Sequence, residues 1–147
     1  MLTIYEGCDF LMKRLIDLIL MLVAAVLLLL PVLMVSMLVK LTSKGPVLYW
    51  SHRVGKSNVI FEMPKFRSMK VDTPAVATHL LADPKSVLTP VGDFLRKSSL
   101  DELPQLWSIF KGDMSFVGPR PALFNQEDLV ALRTKKGVHE LIPGLTG

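Results

Sequence analysis

The chain has one cysteine, Cys8, in 147 residues. An internal disulfide is therefore excluded, and so is a cysteine-rich zinc site. Its three histidines, His52, His79 and His139, are scattered and make no metal-ligand or hydrolase-triad spacing. Aromatic residues are 7% of the chain. No basic run has aromatics interleaved with it and no nucleic-acid module can be traced, so nucleic acid is not expected as a partner. There is no internal repeat and no low-complexity tract. At this length one domain fits and two substantial ones do not.

What is abundant is apolar surface. Half the residues are hydrophobic and mean hydropathy is +0.43. The excess lies in Leu15 to Val39, and Leu18 to Val35 holds no charged or strongly polar residue. About 20 apolar residues suffice to cross a bilayer as a helix. Glu6 and Asp9 before the segment, its length, and the lack of a small-residue cleavage site argue against a signal peptide. We divide the chain into an N-terminal segment, 1–44, with a membrane helix over about 13–40, and a C-terminal unit, 45–147. Lys13 and Arg14 flank one end of the apolar run, Lys40 and Lys44 the other, so both ends carry the charge that marks one side of a membrane. Pro31 lies inside the run, where its ring and missing N–H predict a kink. These residues alone favour a kinked spanning anchor. Asp17, three residues after Arg14, reads as half of an interfacial ion pair. The net charge of +4 suits an anionic membrane face or an anionic substrate.

Thr42-Ser43-Lys44-Gly45-Pro46 is a turn that closes the membrane segment. Val47 to Trp50 and Val59 to Met63 read as two short strands of a hairpin, with a turn over Arg53-Val54-Gly55-Lys56. Lys65-Phe66-Arg67-Ser68-Met69-Lys70 places three bases together, which generically is a solvated face or a headgroup patch. Val71 to Lys85 reads as a mobile loop around a short helix from Ala75 to Ala82.

The informative part runs from Thr89 to Pro121. Thr89-Pro90 predicts a helix start, and Val91, Phe94 and Leu95 predict its shared apolar face. Arg96-Lys97 falls in its last turn and Ser98-Ser99 ends it. Ser99-x-x-Glu102 matches a capping box for a second helix running toward Phe110, although Pro104 shifts the expected helix start toward Leu103. Asp101 and Glu102 thus stand either as caps or as phosphate chemistry at a helix N-terminus. In the second case a divalent cation bridges carboxylate and phosphate, and Arg96 and Arg120 neutralise the rest. Arg96 and the metal are then expected to hold Asp101 ionised against Glu102. Gly118-Pro119-Arg120-Pro121 fixes an arginine between two prolines, a preorganised phosphate clamp or a rigid solvated loop. Lys111-Gly112-Asp113-Met114 is a helix stop, followed by a short strand over Ser115-Phe116-Val117.

The run from Phe94 to Trp107, then Lys111 to Pro121, resembles the bacterial sugar transferases, the monotopic phosphoglycosyl transferases that start glycan assembly on polyprenol phosphate. Lys65-Phe66-Arg67-Ser68-Met69 and Pro143-Gly144-Leu145-Thr146-Gly147 fit as well, so the likeness extends from Lys13 onward. The chain resembles the short single-domain members, and it stops at Gly147 where family members continue with an aromatic-led motif. The resemblance implies a mainly α fold with a small β-hairpin. A membrane helix broken at Pro31 re-enters the leaflet, and amphipathic helices lie at the interface around a compact cytoplasmic unit. It implies Asp101 and Glu102 as a catalytic dyad with Mg2+ as their metal, and Arg96, Arg120, Lys65 and Arg67 as phosphate-binding residues. The implied reaction moves a sugar-1-phosphate from a UDP-sugar to polyprenol (undecaprenyl) phosphate through a phosphosugar-aspartate, releasing UMP. The implied place is the cytoplasmic face of a bacterial inner membrane, among membrane lipids. Downstream glycosyltransferases and a second copy of the chain are left open as partners. The competing reading is a membrane-anchored, non-catalytic module whose basic patches bind headgroups and whose acids are only caps.

Overall fold

The computed structural model describes residues 2–71, 73, 83 and 86–147, with side chains from Phe10 onward. The predicted Ala75–Ala82 helix and His79 lie outside the described residues. The apolar run forms α1, Leu2–Thr42. It carries Pro31 within it and remains one helix, so the expected break at Pro31 is not an interruption of the helix. A proline removes a single ladder bond, and in the turns that follow Ser36 Oγ donates to the Val32 carbonyl at 2.6 Å and Thr42 Oγ1 to the Leu38 carbonyl at 2.7 Å.

One stripe of α1 packs on the rest of the chain. Val35 and Val39 are buried with Phe66 and Leu95, and Val32 joins them; Met21 packs against a second cluster of Phe61, Met63, Ile109 and Met114. Nearer the N-terminus, Arg14 donates to the carbonyls of Ile109 (2.5 Å) and Phe110 (2.6 Å), and Lys13 to that of Val117 (3.1 Å). Buried Asp17 accepts from the Phe116 N–H at 3.2 Å. The expected Arg14–Asp17 ion pair is thus replaced by separate bonds from each residue to the rest of the chain, Arg14 to two carbonyls at a helix end and Asp17 to an N–H within a short strand. The other faces of α1 remain bare, with Val26 69% and Leu27 72% exposed.

The hairpin forms as expected but with longer strands. β1 (Leu48–Val54) runs antiparallel to β2 (Ile60–Phe66), from Leu48↔Phe66 to Val54↔Ile60. A 3-10 turn, Lys56–Asn58, joins them. The expected helix start at Thr89 does not form. Thr89 Oγ1 donates to the Ser68 carbonyl at 3.3 Å, and α2 covers only Gly92–Lys97, with no side-chain cap. A Cβ at Gly92 would stand 2.0 Å from that same carbonyl, so only glycine lets the helix begin so close to the strand end. Within α2, Leu95 is fully buried and Val91 packs with it, while Phe94 is 59% exposed. A six-residue helix has one inward row, and Phe94 falls a step off it.

A 3-10 turn over Leu100–Gln105 follows and leads into α3, Leu106–Lys111. Gly112 closes α3 at φ 94°, as its sequence predicts. β3 (Ser115–Val117) pairs in parallel with β5 (Gly144–Thr146), and β4 (Ala122–Leu123) adds to the open edge of β1, giving the order β2-β1-β4. Between them lies α4, Glu127–Lys135, then a 3-10 turn at Val138–Glu140. For detergent-solubilised protein, Leu95→Ala should cost about 2–5 kcal/mol in reversible unfolding, because it empties a closed core site. Phe94→Ala should cost less than about 1 kcal/mol; equal losses would contradict the packing of α2.

Candidate active site

The turn over Leu100–Gln105 decides where the two acids go. In a 3-10 helix residues three apart eclipse one another. Leu100 and Leu103 pack into the Val35/Phe66/Leu95 cluster and Leu106 into the Ile109/Met114 cluster. Neighbours between the leucines then splay apart. Asp101, 8% exposed, lines a cleft of about 430 Å3. Glu102 instead lines a small depression with Gln105, its eclipsed neighbour.

Ser99, the residue before the turn, is left-handed (φ 57°) and its side chain makes no cap bond. The Glu102 N–H bonds to the Ser99 carbonyl at 3.1 Å, but the Glu102 carboxylate points elsewhere. The capping box is therefore absent, because two cations from distant elements claim the carboxylate. Lys65 Nζ, from β2, lies 2.7 Å from Glu102 Oε1, and Arg120 Nη2 lies 2.9 Å from the same oxygen. A helix-N-terminus anion site does not form here either, since the acids sit in a 3-10 turn ahead of a six-residue helix.

The large cleft is cationic around Asp101, with Arg53, Lys65, Arg96 and Arg120 in its wall. Burial pushes the Asp101 carboxyl above its ordinary value, Lys65 and Arg96 pull it down, and adjacent Glu102 pushes it up again. The net direction is upward, opposite to the sequence expectation, because desolvation outweighs the cations. For Glu102, burial also pulls upward, but the Lys65 hydrogen bond and the charges of Lys65 and Arg120 bring it below the ordinary value. Lys65 is itself lowered, first by burial, with Glu102 opposing. The two partners thus shift in opposing senses for their pairing. We follow the carboxylate, on whose single oxygen two cations converge, and take the pair as ionised.

Of the residues singled out from sequence, Asp101, Arg96, Arg120, Lys65 and Arg67 line one cleft, and Glu102 lies behind it. Arg67 is 4% exposed and Lys65 is enclosed, so the expected solvated basic face is not what these residues form. Strand β2 continues up to Phe66 and carries them inward. Pro31 lies in α1, outside the cleft lining. Arg53 was not singled out. Its Nε donates to Ser51 Oγ at 3.0 Å and its Nη1 to the Pro121 carbonyl at 3.2 Å. Burial and then the charge of Arg120 lower its pKa. The strand period of two, with Ser51 and Arg53 on one side, carries that signal. Arg133 of α4 also lines the cleft and donates to the Arg120 carbonyl at 2.6 Å.

Among the described residues, no three His, Cys, Asp or Glu side chains gather as a metal cage. Asp101 offers one cleft-facing carboxylate, while Glu102 Oε1 is already shared by Lys65 and Arg120. That donor set fits magnesium, which binds through one or two carboxylates and completes its shell with substrate phosphates and water.

Glu102→Gln leaves Lys65 enclosed without its counter-charge, and the expected loss is about 1–3 kcal/mol in denaturant unfolding at neutral pH. Because the folded-state pKa of Glu102 lies below its ordinary 4.5, its contribution is complete above that value. It fades as pH falls through the lowered pKa. The gap between wild type and variant should therefore close in acid below 4.5; a gap that persists there would remove the ion pair as its source.

Comparison with known proteins identifies the family. The family model described as bacterial sugar transferase matches residues 8–147. The chain is 40% identical over 152 residues to the UDP-glucose:undecaprenyl-phosphate glucose-1-phosphate transferase of Escherichia coli, covering 99% of this chain and 32% of that protein. It is 44% identical over 86 residues to the UDP-N-acetylgalactosamine-undecaprenyl-phosphate N-acetylgalactosaminephosphotransferase of Aeromonas hydrophila, covering 58% and 20%. It is 37% identical over 116 residues to the galactosyl transferase CpsE of Streptococcus agalactiae, covering 70% and 25%. The chain spans a third or less of the length of these three relatives. With a family match over nearly its whole length, the chain belongs to the bacterial sugar transferase family.

Proposed function

We propose that this chain transfers a sugar-1-phosphate from a UDP-sugar to a polyprenol phosphate such as undecaprenyl phosphate, with Asp101 as nucleophile. The observation that carries the reading is Asp101 itself, a buried carboxylate at the wall of a cleft lined by Arg53, Lys65, Arg96, Arg120 and further cations and built against a lipid-suited helix. The substrates named for the E. coli and A. hydrophila relatives agree with it.

In the first half-reaction an Asp101 carboxylate oxygen attacks the sugar-bearing phosphorus. The bond from that phosphorus to the bridging oxygen breaks, and UMP leaves with the electron pair. The sugar phosphate stays on Asp101. In the second, an oxygen of the polyprenol phosphate attacks the same phosphorus, the bond to Asp101 breaks, and the carboxylate returns. Arg53, Arg96 and Arg120 line the place where the diphosphate charge must be held. Lys65, fixed by Glu102, adds a positioned cation. Burial of Asp101 strips water from the nucleophile and excludes hydrolysis of the acyl phosphate. Bound at Asp101 with donor phosphate oxygens, magnesium would neutralise charge on the phosphoryl group. Against the non-catalytic alternative stands the absence of the caps it requires: neither acid side chain closes a helix N-terminus through Ser99.

The chemistry joins a lipid to a soluble donor, so the catalytic unit belongs at a membrane surface, and we place it on the cytoplasmic face of the inner membrane. The helix over Phe10–Thr42 is long and apolar enough to cross. From Arg14 to Val39 a helix covers about 37 Å, and residues at both ends of that stretch bind the same polar unit. A unit so attached cannot accompany a helix through about 30 Å of hydrocarbon. This supports a re-entrant course, in which α1 dips into one leaflet and returns, bending at Pro31.

Incubation with the right UDP-sugar and magnesium, without polyprenol phosphate, should release about one UMP per enzyme. Asp101→Asn should abolish the burst, a loss on the order of a thousandfold or more. A burst retained by Asp101→Asn would remove it as nucleophile. Separately, in a Cys8→Ser background, thiol labels at Thr3→Cys and Lys44→Cys should react from the same side of sealed vesicles. Reaction from opposite sides would end the re-entrant reading.

A further inference from the structure

Arg67 is a buried cation whose hydrogen bonds are half made. It is 4% exposed, and its Nη2 donates to the carbonyl of Ser43 at 3.0 Å and to Ser43 Oγ at 2.6 Å. Its Nε and Nη1 are buried with no partner. Unmet donors on a buried guanidinium are costly, and native folds keep them where a ligand completes them. Arg67 lines the large cleft, and so does Thr73, whose Oγ1 is likewise buried without a partner.

The position of Arg67 separates it from the other cations. Lys65 and Arg67 lie two residues apart at the end of β2, on one face of the extended chain, so Arg67 stands about 7 Å further along it. Lys65 binds Glu102, next to Asp101. Arg67 binds Ser43, just past the last turn of α1. The guanidinium is pressed against the chain there: a Cβ on Gly45, whose φ is +117°, would lie 2.0 Å from Arg67 Nη1. Near it in the chain the lining carries the apolar side chains of Pro46, Leu48, Met69 and Val71 beside Ser68, Lys70 and Thr73. Leu48 also packs on the Val35/Val39 end of α1. One end of the cleft thus combines spare N–H donors, an apolar lining and the foot of the lipid-suited helix.

We propose that this end is the acceptor subsite, and that Arg67 receives the phosphate monoester of the polyprenol phosphate while Pro46, Leu48, Met69 and Val71 take its first isoprene units. The inference rests on the phosphoglycosyl-transfer reading above. It divides the cations by substrate: Arg53, Arg96 and Arg120 serve the donor diphosphate, and Arg67 serves the lipid phosphate. A phosphate held there presents an anionic oxygen toward the phosphosugar on Asp101, and no proton has to be removed for the attack.

The two half-reactions test this separately in detergent micelles. UDP-sugar alone gives the UMP burst; a short-chain polyprenyl phosphate then chases the phosphosugar-enzyme. Arg67→Met should keep the burst amplitude and the UDP-sugar dependence, and raise the polyprenyl phosphate concentration for half-maximal chase about tenfold or more. Ser43→Ala keeps the guanidinium but loosens its anchor, and should raise the same concentration several-fold with an intact burst; it decides the matter where Arg67→Met does not fold. A weakened UDP-sugar dependence with an unchanged chase would assign Arg67 to the donor and overturn the proposal, as would a chase unchanged in both variants. Absence of any burst in wild type would instead overturn the transferase reading beneath it.

Discussion

Three leucines spaced by three residues hold the turn on which this site depends. Leu100 and Leu103 sit in one apolar cluster and Leu106 packs against the other, so the turn bridges the two halves of the core. A spacing of three keeps such residues eclipsed only in a 3-10 helix; an α-helix would rotate each leucine about 60° from the last. The tighter winding sends adjacent acids to different places. Asp101 reaches the cleft and Glu102 reaches Lys65 and Arg120 behind it. Left-handed Ser99 lets the chain pass from α2 into that turn without a helical linker.

The electrostatics follow from this separation. Arg53, Lys65, Arg96 and Arg120 come from β1, β2, α2 and the loop before β4, and they line one cleft. Such a ring repels itself: burial and then Arg120 disfavour the charge on Arg53. Glu102 relieves part of the repulsion by holding two of the four. Asp101 offsets one further charge, and the cations lining the cleft still outnumber the carboxylates there. A surplus of positive charge is therefore left for an incoming anion, and a diphosphate meets it better than either acid. Glu102 acts through Lys65 and Arg120 and so serves as a positioning residue.

Much of this was legible in the sequence, and the failures have physical causes. The hairpin, the stop at Gly112 and the strand at Ser115–Val117 are local patterns, and they form. The motif residues Asp101, Arg96, Arg120, Lys65 and Arg67 do converge on one cleft. The capping box failed because Ser-x-x-Glu describes a local option, while the Glu102 carboxylate found two cations 37 and 18 residues away. Arg53 was missed because its place depends on β4, a strand of two residues that pairs only with the end of β1. The packed stripe of α1 was hidden for a different reason. In water, a helix shows its inner face by contrast with a polar outer face. Here the outer face, Leu22, Val26, Leu27 and Leu30, is as apolar as Met21, Val32 and Val35, so periodicity carries no contrast.

The same helix also braces the segment that carries Asp101, the proposed nucleophile. At one end Arg14 caps the carbonyls of Ile109 and Phe110, which close α3. At the other, Val35 and Val39 pack on Leu95 in α2 and on Phe66 beside Lys65 and Arg67. Asp101 lies between these two braces. Lys13, Arg14 and Asp17 bond to a polar unit whose place is in water, and Ser43 bonds to Arg67 in the same unit. Lipid contact with the bare faces and polar contact at both ends together set how deep α1 can lie. That depth fixes the height of Arg67 and of the cleft above the hydrocarbon. A phosphate tethered to a lipid tail can explore only a narrow range of heights, so the proposed transfer needs the Asp101 turn held at one of them. Bracing the Asp101 turn from both ends of α1, together with its packing on β2, meets that need.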